Sequence, residues 1–427
     1  MGSRNFDIAV IGAGMVGASL ALAAARAGWS VAVVEPAPPE APVPEGEPDL
    51  RVSALSYGSE RWLRRLGVWS RMAEQRWAPF RELAVWEAPS GPLRTFDALR
   101  PLADVARTHF TAASINRPHL GHIVENQVTQ HALWQSLQEE PNLSCFSPGR
   151  VRTLKQQNDR VELTLDDDTA MTSRLVVGAD GANSPTRALA GIGTSRQQYR
   201  QQAMVVSVIH DPPEQSITWQ MFTPKGPRAY LPMPSIRGQC RASLVWYDQP
   251  ERLDQLMSLN ESELIEAITD AFPDELPTLI AAPDRGRFPI ARQHAHEYSQ
   301  GRVTLIGDAA HTINPLAGQG VNLGFQDAAC LARLLLEERR LEGDPGSRGL
   351  LQAYEEERRP RNRLMMDTMD LFYTAFSNRQ PPAHLIRNLG LGLAGRLPMA
   401  RERVARYAMG IDDTLPRPLE SLLKRLA

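Results

Sequence analysis

The stretch Ile8-Ala9-Val10-Ile11-Gly12-Ala13-Gly14-Met15-Val16-Gly17 decides the fold. Its leading apolar residues predict a buried strand, and its glycines a tight turn into a helix from Met15 to about Ala27. Val31 to Val34 reads as the next strand and ends in Glu35. Strand, Gly-x-Gly-x-x-Gly, helix, strand and acid in this order form a dinucleotide fingerprint in its proper setting. The glycines allow the turn, the close approach of a pyrophosphate and the packing of helix on strand. The acid takes a ribose hydroxyl.

Two further blocks carry the same design. In Leu305-Ile-Gly307-Asp308-Ala-Ala-His311-Thr-Ile-Asn314-Pro315-Leu-Ala-Gly318-Gln-Gly320-Val321-Asn322-Leu-Gly324, an apolar strand (Val303 to Ile306) runs into Gly-Asp. A Gly-rich loop then opens a helix near Val321. Such a loop brings bare N–H groups against a cofactor, and a helix N-terminus favours negative charge, which a reduced flavin carries. Leu175-Val-Val-Gly178-Ala-Asp180-Gly181-Ala-Asn-Ser184-Pro-Thr-Arg187 is another apolar strand ending in Gly-x-Asp-Gly. Read alone, it is an ordinary turn.

A chain of 427 residues holds a large core, read here as two domains. A net charge of −2 gives no footprint for nucleic acid. Cys145, Cys240 and Cys330 are odd in number and far apart, which suits a reducing compartment and supplies neither a disulfide framework nor a metal site. The first strand begins too early for a signal peptide, and no apolar run reaches the roughly 20 residues of a membrane span. A cytoplasmic location follows as the expectation.

Between the blocks, Pro36 to Pro48 reads as a surface loop, Ser56 to Met72 as helix and Glu82 to His109 as strands. Gln127 to Leu137 reads as an amphipathic helix, and Val151 to Leu165 as two strands. Met204 to Ile209, Ser216 to Phe222, Arg228 to Pro232 and Cys240 to Tyr247 predict an antiparallel sheet. The apolar alternation of Trp219, Met221, Ala242, Leu244 and Trp246 marks either plain core or the wall of a greasy ligand pocket. A helix is expected over Glu261 to Ala271, another over Val321 to Arg340, and a last one over Leu350 to Ser377, broken or kinked at Pro360. From His384 to Gly410, five arginines (Arg387, Arg396, Arg401, Arg403, Arg406) face Glu402 alone, with leucines interspersed. This segment suits an anionic membrane surface, or a terminal helix packed on its own core.

With the three blocks in order, the chain resembles the class A flavoprotein aromatic hydroxylases, the para-hydroxybenzoate hydroxylase type, from Asp7 to about Gly410. Within that class it resembles the ubiquinone-biosynthesis hydroxylases. Val124-Glu-Asn-Gln-Val-Thr-Gln130-His-Ala-Leu-Trp-Gln, Trp219-Gln-Met-Phe-Thr-Pro-Lys-Gly-Pro-Arg-Ala and Met369-Asp-Leu-Phe-Tyr-Thr-Ala-Phe-Ser-Asn are similar to the demethoxyubiquinol hydroxylase branch.

The resemblance implies an α/β fold in which a Rossmann-type FAD-binding domain (5–76, 116–195 and 285–380) is interleaved with a smaller substrate domain (77–115 and 196–284). The substrate domain contains a mostly antiparallel β-sheet, and C-terminal helices and a basic segment (381–427) follow. By the same resemblance Gly12, Ala13, Gly14 and Gly17 cradle the FAD pyrophosphate and Glu35 binds the adenosine ribose. Arg51 and Gln130 contact the cofactor near its phosphates and ribityl chain. Asp180 lies near the pyrophosphate and Asp308 binds ribityl hydroxyls. Pro315 lines the flavin face where oxygen reacts, and Gly320, Val321 and Asn322 offer backbone donors to the flavin pyrimidine edge. His311 is the one acid–base candidate beside this loop, either catalytic or orienting it. No residue is implied as a metal ligand.

The implied reaction is hydroxylation of a polyprenylated benzoquinol, demethoxyubiquinol, through a flavin C4a-hydroperoxide. Dioxygen is the co-substrate, and NAD(P)H or another donor supplies electrons. The tyrosine relay with which para-hydroxybenzoate hydroxylase ionises its phenol has no counterpart in the sequence. An electron-rich hydroquinol needs none, which favours a quinol over a benzoate. The alternatives are another ubiquinone precursor, a small aromatic acid, a flavin-dependent prenyl reductase, or a non-catalytic FAD-bound subunit. Implied partners are the quinol, a ubiquinone-biosynthesis complex, a second copy of the chain, and the inner face of the cytoplasmic membrane through the basic segment.

Overall fold

A computed structural model describes residues 4–43, 45–88, 107–314 and 320–377, with side chains to residue 370. The fold is α/β and built on two large sheets with a small one between them in sequence. In the first sheet, strands Val303–Leu305, Ala170–Gly178, Arg4–Ile11, Val31–Val34 and Leu143–Phe146 lie side by side and parallel. Ile8, Val10, Val31 and Val33 are wholly buried, as the unbroken apolar runs require of a strand covered on both faces. The helix Met15–Arg26 packs on helices Asn126–Gln138 and Gly320–Arg340. Its small residues permit close approach: a Cβ on Gly17 would lie 2.1 Å from the Gly12 carbonyl oxygen. Likewise a Cβ on Gly324 would lie 2.5 Å from Val16 Cγ2, so the Val16 side chain packs directly on the Gly324 backbone where these two helices meet.

The second sheet has the order His311–Thr312, Leu279–Ala295, Thr194–His210, Gln239–Asp248, Arg228–Ile236, Ile217–Phe222, Glu82–Glu87, Thr108–Thr111. Neighbours are antiparallel except Ile217–Phe222 and Glu82–Glu87, which run parallel. One face carries Met204, Trp219, Tyr230, Leu244 and Trp246 against Leu253, Leu256, Leu264 and Ile268 of helices Pro250–Ser258 and Glu261–Ala271. The small third sheet joins Val52–Ser56, Gly121–Glu125 and Ala78–Phe80.

One motif spans both large sheets. Val303–Leu305 belongs to the first, while Thr312 and His311 pair with Gln293 and His294 of the second. The intervening turn Gly307–Ala309 is therefore held from both sides, with Gly307 at φ +58 supplying the left-handed residue.

One expectation needed correction. The helix expected over Ser56 to Met72 is two helices, Tyr57–Arg65 and Trp69–Ala73, because Gly67 adopts φ +61 between them. Of the break or kink expected at Pro360, the break does not occur: the helix is continuous over Arg348–Ser377. Arg358 and Asn362, on either side of the proline, both bond the buried Asp327, and that anchorage outweighs one missing backbone bond. Pro315 and the basic segment from Pro381 lie outside the described residues.

Candidate flavin and substrate site

A cavity of about 740 Å³ opens at the C-terminal ends of the parallel strands, where open α/β sheets bind ligands. The sequence blocks converge on it. Gly12, Gly14, Glu35, Arg51, Gln130, Asp180, Asp308, Gly320 and Val321 all line it.

The glycines divide by role. A Cβ on Gly12 would meet the Ala179 carbonyl oxygen at 2.5 Å, and its φ of +100 makes the turn. Gly17 does not line the cavity and serves helix–strand packing, as above. Gly14, Gly181 and Gly320 border the cavity, yet among the described residues beyond its own chain neighbours and helix backbone a Cβ on any of them would meet no atom within 4 Å. Packing does not demand glycine at Gly14 or Gly320, so the room they leave serves a ligand's close approach, whereas Gly181 is also required by its φ of +81. Gly14 is also the N-cap of Met15–Arg26 with no side-chain cap, which leaves that helix's first N–H groups for an anion. A pyrophosphate-bearing dinucleotide fits this surface.

The acids are placed differently from one another. Glu35 Oε2 accepts from the Ala13 N–H at 2.6 Å, so Ala13 sits behind the cavity wall and fixes the acid. Asp180 braces its own loop: it accepts from Ser184 Oγ and from Thr186 N–H at 2.9 Å. Arg187 then joins this loop to the flavin block by donating to the Ala309 carbonyl at 2.8 Å. Asp308 points into the open cavity and bonds no protein group among the described residues. The protein around it raises its pKa, against the opposing pull of His311 and Arg51.

The side chains of His311 and Asn322 face elsewhere. His311 is 2 % exposed, and its Nε2 lies 2.5 Å from Asp327 Oδ2. Asp327 also accepts from Gly307 N–H (3.1 Å), Arg358 Nε (2.8 Å) and Asn362 Nδ2 (2.9 Å). Burial alone would raise the Asp327 pKa, but the charges of His311 and Arg358, with the His311 and Asn362 hydrogen bonds, hold it well below the usual carboxylate range. The Asn322 side chain takes the Ser56 N–H and Ser59 hydroxyl and donates to the Ala54 carbonyl, tying the helix to strand Val52–Ser56.

Sequence reasoning missed Asp327, Arg358 and Asn362. One signal was available: Asp327 interrupts the apolar stripe Leu323-Asp327-Leu331, and a charge there must be partnered.

A second cavity, of about 320 Å³ and mostly apolar, meets the first at Arg51, Val52 and Asn126, which line both. Its floor is the sheet face opposite the Trp219 core: Val85, Gln220, Ala229, Leu231, Val205 and Val245. Of the alternating large residues of the sequence, Met221, Leu244 and Trp246 are core and Trp219 is core that also borders the pocket, while the intervening positions supply most of its wall. Glu60, His119 and His122 approach as metal ligands do, but line neither cavity, and Glu60 is already engaged by Arg64 (2.7 Å) and His119 (2.6 Å). Among the described residues no helix is long and apolar enough to cross a membrane.

Comparison with known proteins agrees with this geometry. Residues 5–369 match the FAD binding domain family. The 3-demethoxyubiquinol 3-hydroxylase of Escherichia coli K12 is 41 % identical over 413 residues, covering 96 % of this chain and all of that protein. The ubiquinone hydroxylase UbiL of Rhodospirillum rubrum is 34 % identical, covering 96 % of this chain and 91 % of its own. The human mitochondrial ubiquinone biosynthesis monooxygenase COQ6 is 30 % identical over 94 % of this chain and 92 % of its own. The p-nitrophenol 4-monooxygenase of Pseudomonas putida superposes with a TM-score of 0.73 at 18 % identity, covering 96 % of this chain and 100 % of that one, and so shares the fold. The chain belongs to the FAD-binding family of flavin-dependent monooxygenases and, within it, to the ubiquinone-biosynthesis hydroxylases.

Proposed function

We propose that this protein hydroxylates the ring of a polyprenylated benzoquinol, demethoxyubiquinol, in ubiquinone biosynthesis. The observation that carries the reading is the junction of the two cavities: a dinucleotide-sized site opens at Arg51, Val52 and Asn126 into an apolar chamber. The 3-hydroxylation named for the 41 % identical relative supports the ring position.

When bound and reduced, FAD supplies oxygen activation and delivers one atom of dioxygen to an electron-rich ring. The chain's own residues do the rest. Gly14 and the first turn of Met15–Arg26 receive the pyrophosphate, Glu35 the adenosine ribose, and Asp308 the ribityl hydroxyls. The backbone at Gly320 and Val321 faces the flavin with the positive end of a helix dipole, which is strongest where water is excluded. The apolar floor of Val205, Leu231 and Val245 keeps water from the reacting ring. His311 acts through Asp327, holding the Gly307 turn in place, and does not touch the substrate.

The apolar chamber takes the quinol head, and the prenyl tail reaches the protein from the bilayer. The basic residues between His384 and Gly410 support docking at an anionic membrane surface. In this reading the FAD-binding part (5–76, 116–195, 285–380) centres on the first sheet and the substrate part (77–115, 196–284) on the second, with strands Thr194–His210 and Leu279–Ala295 crossing the expected bounds.

The test is turnover of the FAD-loaded full chain with a short-chain demethoxyubiquinol under ¹⁸O₂. One ¹⁸O atom in the ring is the expected product. Oxygen-independent reduction of prenyl double bonds, or hydroxylation of a benzoate in place of the quinol, would overturn the proposal.

A further inference from the structure

The polar side chains on the floor of the apolar chamber differ in whether the protein already uses them. Strand register places them in rows. Ala203, Tyr247 and Phe288 form the row nearest the flavin block, because the Tyr247 hydroxyl donates to Asn314 Oδ1 at 3.3 Å. Gln220 lies in the next row with Val85, Ala229 and Val245. Thr218 and Ser243 share the row beyond, with Leu231 between them.

The Thr218 hydroxyl is spent on the Tyr230 carbonyl at 2.8 Å. Ser243 is 4 % exposed, lines the chamber, and its Oγ has no hydrogen-bond partner among the described residues. A buried hydroxyl left unpaired is unfavourable until something completes it, so it marks a place where a ligand atom belongs. Gln220 is 7 % exposed, lines the same chamber, and bonds no side-chain partner among the described residues. Apart from Arg51 and Asn126 at the junction, the surfaces around these two groups are largely apolar.

We propose that Ser243 and Gln220 are the specificity-determining residues of the chamber, hydrogen-bonding the two ring hydroxyls and so selecting a free quinol over its O-alkylated forms. The assignment rests on the quinol reading above. The two Cα atoms are two strands and one row apart, on the order of 12 Å. The longer Gln220 side chain spans part of that distance, and an aromatic ring with para hydroxyls spans the rest. Serine hydroxyl and glutamine carboxamide each donate and accept, as a quinol hydroxyl does. A site built to pair a hydroxyl rejects the analogue that lacks it, because its own buried group is left unpaired.

The experiment uses the FAD-loaded full chain with a short-chain demethoxyubiquinol and its two mono-O-methyl ethers. Affinity is read anaerobically from flavin fluorescence, and product from a single turnover of chemically reduced enzyme with oxygen. The wild type should prefer the quinol to each ether by about tenfold or more. Ser243→Ala and Gln220→Leu should each erase the preference against one ether while retaining FAD. Variants that keep the wild-type preference would overturn the assignment and leave the quinol reading standing. A wild type that binds and hydroxylates none of the three would overturn both.

Discussion

His311 and Asp327 are joined by a 2.5 Å contact between Nε2 and Oδ2, with both residues buried. Through Asp327 the same contact reaches Gly307 N–H, so the flavin-block turn is fastened to the helix Gly320–Arg340 that follows it. Asp327→Ala leaves Arg358, 3 % exposed, without its anion, and removing one partner of a buried pair costs about 3–5 kcal/mol. A marked fall in thermal midpoint, with loss of FAD, is expected for that variant. His311→Ala should keep FAD and fold but form less hydroxylated product per oxygen consumed. Unchanged coupling in this variant would remove His311 from any part in the reaction.

Gly14 and Gly17 belong to one motif but should fail in different ways. Gly17→Ala drives a Cβ to 2.1 Å from the Gly12 oxygen, an overpacking that costs about 1–3 kcal/mol or more. Gly14→Ala meets no atom of the described residues with its Cβ beyond its chain neighbours and should unfold close to the wild-type denaturant concentration. It should nonetheless bind FAD on the order of tenfold more weakly or worse, a loss of at least about 1.4 kcal/mol. Flavin titration beside urea unfolding separates the two effects.

The contrast between these glycines also shows what the sequence could and could not disclose. The parallel-sheet half was legible because Ile8 to Ile11, Val31 to Val34 and Leu175 to Val177 are unbroken apolar runs closed by Gly and acid, a local pattern. Which glycine faces ligand and which faces protein depends on Ala179 and Val16, brought near by folding alone. The same holds for the second sheet. Trp219, Met221, Leu244 and Trp246 announce a buried face, but the chamber lies on the other one, where Val245 and Leu231 carry no distinguishing mark. Arg358 and Asn362 lie more than 30 residues from Asp327, and no periodicity links them to it.

The chamber itself is testable by filling it. Val245→Trp places an indole among Val205, Ala229 and Leu231 while leaving the Trp246 core untouched. FAD affinity should remain, and binding of a short-chain quinol should fall about tenfold or more. Quinol titration of the flavin-loaded variant checks this; unaltered quinol affinity would move the substrate site elsewhere.

Stability should fall with acid from an early point. Burial pushes the His294 imidazole down to about 3, aided by the charges of His311, Arg359 and Arg292. Unfolded, it titrates near 6.5. Between those values the unfolded chain holds a proton that the folded chain refuses, so the His294 contribution is whole above about pH 6.5 and lost as pH falls toward 3. Asp327, whose pKa is depressed, adds its loss below the ordinary carboxylate range. His294→Gln should flatten the decline between pH 6.5 and 4 in urea midpoints. A slope identical to wild type would contradict this origin.

The most direct test of the central claim is mass spectrometry of quinones extracted from bacterial cells that lack this protein and from the same cells with it restored. The account predicts demethoxyubiquinone accumulating in the first and ubiquinone returning in the second. A normal quinone profile in cells that lack the protein would contradict it.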